Sequence, residues 1–92
     1  MTKKDIYNTL KSRQLQHAIE ANRLILKSQS LKNGELENTQ YFAKLEHIRS
    51  TTLLGAINAL LGDDYKGHNV RTPENELLQE QWSALEKQRL GL

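Results

Sequence analysis

The chain has 92 residues, of which 37% are apolar and 26% charged, and its 13 basic and 11 acidic side chains leave a net charge of +2. That length makes one domain, the near balance of charge gives no general attraction for nucleic acid or membrane, and the aliphatic content argues against wholesale disorder. The absence of cysteine excludes a disulfide framework and a thiolate metal site, and with five aromatic residues (Tyr7, Tyr41, Phe42, Tyr65 and Trp82) burial rests mainly on Leu, Ile and Ala.

The N-terminus, Met1-Thr2-Lys3-Lys4-Asp5, runs directly into an amphipathic pattern without the apolar core of a signal peptide, and no apolar run approaches the roughly 20 residues of a bilayer span. A cytoplasmic protein is expected. Thr2 with Asp5 three residues on reads as a helix start, and the pattern continues without Pro or Gly until Asn33-Gly34, predicting a first helix over about 3–32. At helical spacing Ile6, Leu10, His17, Ala21, Leu24 and Leu31 share one face, with Tyr7, Ala18 and Ile25 beside them. Leu15, Ile19 and Leu26 form a second strip further round. So wide an apolar face packs against two neighbours rather than one.

Asn33-Gly34 is a suitable helix stop, because both residues tolerate the left-handed backbone of a C-terminal cap. A second helix is predicted over about 36–61, with Tyr41, Phe42, Leu45, Ile48, Thr52, Leu53, Ala56, Ala59 and Leu60 as its packed face. From Leu53 to Leu61 the sequence is apolar nearly all round, which predicts burial on both sides. A loop follows over 62–72, rich in turn formers. Thr72 as N-cap, Pro73 in the first turn and Glu74 and Glu76 beside it then start a third helix over about 73–89, whose narrow stripe of Leu78, Trp82 and Leu85 is expected to dock in the groove between the first two helices.

No catalytic motif is present: the glycines form no phosphate loop, and there is neither a cysteine nucleophile nor a nucleophile elbow. His17 and His47 are nearly equidistant from the Asn33-Gly34 turn, so an antiparallel hairpin brings them to similar levels. A zinc site would also need Glu20, Glu46 or Gln14 to converge, and the plainer reading is preferred: one histidine part-buried at a helix interface and one solvated. Asp63, Asp64 and His68 match no calcium-loop spacing and read as a helix-ending turn. Neither a metal nor a cofactor is expected. A connection of about ten residues exceeds the usual two to eight between helices, which makes Tyr65, Lys66, His68 and Arg71 candidate binding residues.

Three functional classes follow. The first helix carries Lys3, Lys4, Lys11, Arg13, Arg23 and Lys27, which would serve a small nucleic-acid-binding regulator; a solvated face is the plainer account, since the cations spread around the helix. A metal-dependent or His-based enzyme is a further alternative. Most residues support a non-catalytic adaptor or regulatory protein that binds a protein partner or a second copy of itself through an apolar helical face. The expected fold is all-α, a long antiparallel helical hairpin plus a shorter third helix in a three-helix bundle. Its apolar excess serves either a monomeric core or a homodimer, and Leu15, Ile19 and Leu26 with Leu54 and Ile57 are the residues expected to meet the partner.

Overall fold

The computed structural model describes residues 2–62 and 72–92. They form three helices, α1 (Lys3–Ser28), α2 (Asn33–Leu61) and α3 (Pro73–Leu90), with no strand among the described residues. The chain is all-α, and α1 packs against both α2 and α3.

Two of the helix starts are capped as their sequences predict. Thr2 Oγ1 accepts from the Asp5 N–H while an Asp5 carboxylate oxygen accepts from the Thr2 N–H, a reciprocal capping box. Thr72 Oγ1 accepts from the Asn75 N–H, with Pro73 in the first turn. The first turn differs from expectation. α1 stops at Ser28, where Ser28 and Ser30 hydroxyls donate back to the Ile25 and Lys27 carbonyls and compete with the helical ladder. The C-cap of α1 is Gln29 in right-handed geometry, and Asn33 takes the left-handed conformation at φ 58° at the start of α2 rather than at the end of α1.

Buried and part-buried polar pairs show the relative directions of the helices. Gln14 Nε2 donates to Ser50 Oγ at 3.0 Å, and His17 Nδ1 lies 2.5 Å from Glu46 Oε2, so α2 runs antiparallel to α1. Ser12 Oγ donates to Asn75 Oδ1 at 2.6 Å and Asn22 Nδ2 to Glu86 Oε2 at 3.0 Å, offsets of 63 and 64 residues that place α3 parallel to α1.

The face that α2 turns toward α1 is only in part the one its apolar pattern selects: Leu53 and Leu60 lie on it, but most of the expected stripe does not. Ala43, Ser50 and Ile57 are buried and Leu36, Thr39, Glu46, Leu53 and Leu60 half-buried, which gives an alternating three-and-four spacing along the helix. Tyr41, Phe42, Ile48, Thr52, Ala56 and Ala59 lie exposed on the opposite side. Small side chains at Ala43 and Ser50 allow close approach of the two helices, and α1 supplies Gln14 and His17 to satisfy Ser50 and Glu46. A polar residue with a matched partner is therefore accepted in the interface.

α3 also differs from expectation, because it rests on α1 alone. Among the described residues α2 and α3 do not contact each other. The resulting molecule is open: its accessible surface is 6507 Å², against about 5,500 Å² for a compact protein of its mass. Its radius of gyration is 15.0 Å, against about 12 Å for a compact domain of this length.

Candidate functional site

With α1 in the middle and its neighbours apart, a groove runs between α2 and α3 and encloses about 580 Å³. Its floor is the sector of α1 between the two packed strips, where Ala18 and Ile25 are half-buried and small Ala21 and Ala43 lie at the α1–α2 edge. Leu54, Thr51, His47 and Lys44 form the α2 wall, and Trp82, Glu86 and Arg89 the α3 wall. The lining extends from Gln14 to Ser28, a length of about 21 Å at helical rise.

The walls are electrostatically distinct. On α3, the hydrogen bond from Arg89 holds the Glu86 carboxyl below the ordinary carboxylate value, against the opposing effect of burial and with help from Asn22. On α2, Lys44 projects into solvent and no ion pair engages it among the described residues. Beneath this rim, burial works against ionisation of Glu46, yet the hydrogen bonds from His17 and Arg49 and their charges bring it below its ordinary value. Lys11, lowered by burial, donates to Gln14 Oε1 at 3.1 Å, which extends the polar seam of Gln14 and Ser50.

Only some of the sequence-predicted contact residues are available. Leu15, Ile19 and Ile57 are 2%, 4% and 4% exposed and belong to the core, which corrects their placement on an outward face. The reason is α3. The strip carrying Leu15, Ile19 and half-buried Leu26 shares its side of α1 with Ser12 and Asn22, the residues bonded to α3, so the third helix covers what had been assigned to a partner. Ile57 belongs to the α2 seam against α1. Leu54, at 37% exposed, remains accessible and lines the groove. Tyr65, Lys66, His68 and Arg71, with Asp63 and Asp64, lie outside the described residues.

His17 is half-buried and engaged by Glu46, while His47 is exposed on the groove rim, so the two histidines do not converge. Among the described residues no group of three or more His, Asp or Glu side chains is placed to hold a metal ion, and no helix is long and apolar enough to cross a membrane. Of the basic residues on α1, Lys3, Lys4, Arg13, Arg23 and Lys27 are exposed, whereas Lys11 is half-buried. Arg13, Arg23 and Lys27 share the solvent side with Asp5 and Glu20, and Arg23 lies 3.8 Å from Glu20.

The groove was missed at the level of sequence. Its walls come from two helices that meet only through a third, and no local pattern records that two elements stay apart. Comparison with protein-family models, curated proteins and solved structures finds no match.

Proposed function

We propose that this protein is a non-catalytic adaptor, acting in the cytoplasm, that receives an amphipathic helix of a partner protein in the groove between α2 and α3. The observation that carries this reading is the separation of α2 and α3 across α1. Four helices in a bundle occupy the corners of a square, and two that share a neighbour without touching lie across the diagonal. The fourth corner here is the groove. Its length suits about four helical turns, its floor of Ala18 and Ile25 admits close approach, and Leu54 and Trp82 offer apolar walls to anchors spaced three and four residues apart. Lys44 on one rim favours a partner helix with an acidic residue alongside its apolar stripe.

A photo-crosslinking residue at His47, on the groove rim, should capture a helical segment of one partner in the native cell. The same residue at Lys27, on the solvent side of α1, should not. Leu54→Arg should abolish the adduct at His47 while leaving helicity by circular dichroism unchanged. Equal labelling from both positions, or labelling indifferent to Leu54→Arg, contradicts the reading.

A further inference from the structure

The outer face of α2 is separate from the groove and from the core. Tyr41, Phe42 and Ile48 are 60%, 55% and 48% exposed there, Tyr41 and Phe42 packing edge to face at 5.7 Å. Further along the same face stand Thr52, Gly55, Ala56 and Ala59, all exposed, and from Ser50 to Gly62 the sequence carries no charge. The face is therefore bulky at its start and small at its end. Gly55 adds an independent observation. It sits in the middle of a helix, where only proline is less favourable, and a Cβ built on it would meet nothing within 4 Å. Nothing among the described residues requires a glycine there, and the lack of a side chain leaves room for a second backbone to approach closely.

We propose that a second copy of this chain docks antiparallel along the outer face of α2, the aromatic end of each helix lying on the small-residue end of the other. Centred near Ser50, this register sets Tyr41 opposite Ala59 of the second copy, Leu45 opposite Gly55 and Ile48 opposite Thr52. Each large side chain then meets a small one. A two-fold interface must be complementary to itself, and a helix graded from large to small meets that condition only when the copies run antiparallel. Antiparallel packing also aligns the helix dipoles favourably. The stripe positions 41, 45, 48, 52, 55 and 59 recur at the alternating four-and-three spacing of knobs-into-holes packing.

Sedimentation of the purified full chain at rising micromolar concentration should show a dimer. Gly55→Leu should raise its dissociation constant about tenfold or more and leave the monomer folded, because the new side chain meets open space within the chain. The lack of native cysteine permits an orientation test. An oxidised mixture of Tyr41→Cys and Ala59→Cys chains should form the mixed disulfide in preference to either self-linked product. A monomer throughout the range, a dimer unaffected by Gly55→Leu, or preferential Tyr41→Cys self-linkage would each overturn the proposal. None of these outcomes depends on the groove, since Leu54→Arg lies on another side of α2.

Discussion

Leu15→Asp should leave the chain unfolded at room temperature, with helical circular dichroism lost, whereas Leu54→Asp should leave it folded. Leu15 is 2% exposed between α1 and α3 and Leu54 is 37% exposed on the groove wall. Truncating a buried leucine to alanine costs about 2–5 kcal/mol, and an aspartate adds the penalty of an unpaired charge in the core. The total stability of a domain this size is about 5–10 kcal/mol. The described core has little in reserve: its buried apolar residues are Tyr7, Leu15, Ile19, Ala21, Ala43 and Ile57, and four of its five buried polar residues, Gln14, Asn22, Ser50 and Asn75, are engaged in joining helices. A folded Leu15→Asp protein would mean that the second strip of α1 faces solvent and that α3 packs elsewhere.

Glu46→Ala should be the next most damaging change, costing about 1–3 kcal/mol in chemical denaturation. It removes the acceptor shared by His17 and Arg49 at the centre of the α1–α2 seam, where the Glu46 side chain is 15% exposed. The same contacts carry a pH dependence. Because the Glu46 pKa is lowered below 4.5 in the folded chain, its contribution is fully present above the unfolded value and is lost as pH falls through the folded one. Glu86, lowered by Arg89, acts in the same sense. Glu46→Gln keeps an acceptor toward His17 and Arg49 but cannot titrate. The loss of stability on acidification should therefore be shallower in Glu46→Gln than in the wild type, by the part Glu46 supplies. Identical pH profiles would show that the His17–Glu46 contact does not persist in solution.

The helical class was legible because its signals are local. Thr2 with Asp5 and Thr72 with Pro73 announce helix starts through two or three residues, and the caps form as those residues dictate. The width of the apolar face on α1 likewise foretold two neighbours. The inward face of α2 was legible only at Leu53 and Leu60. Hydropathy selects Tyr41, Ile48, Ala56 and Ala59 and passes over Thr39, Glu46 and Ser50, whereas the structure admits the polar set because Gln14 and His17 meet it from α1. A pairing between residues 29 or 36 positions apart leaves no trace in a window of one helix. Of the expected stripe, Leu53 and Leu60 belong to the inward face and Leu45 is half-buried, whereas Tyr41, Phe42, Ile48, Thr52, Ala56 and Ala59 lie on the outside.

The same limit explains the misassigned partner surface. Leu15, Ile19 and Leu26 were correctly grouped as a strip separate from the main face, and the helix that covers them is α3 rather than another molecule. The surface left over is the sector of Ala18 and Ile25 between the strips, which carries too few apolar residues to stand out in sequence. It becomes a site only when Leu54 and Trp82 rise on either side.

Trp82 is the one tryptophan in the sequence and lines that groove, so its emission reports directly on whether a helix occupies it. The segment captured at His47, made as a synthetic peptide and titrated into the purified protein, should shift Trp82 fluorescence saturably to shorter wavelength, and Leu54→Arg should abolish the shift. Binding of the peptide with unchanged Trp82 emission, or an equal shift in Leu54→Arg, would place the partner elsewhere and contradict the account.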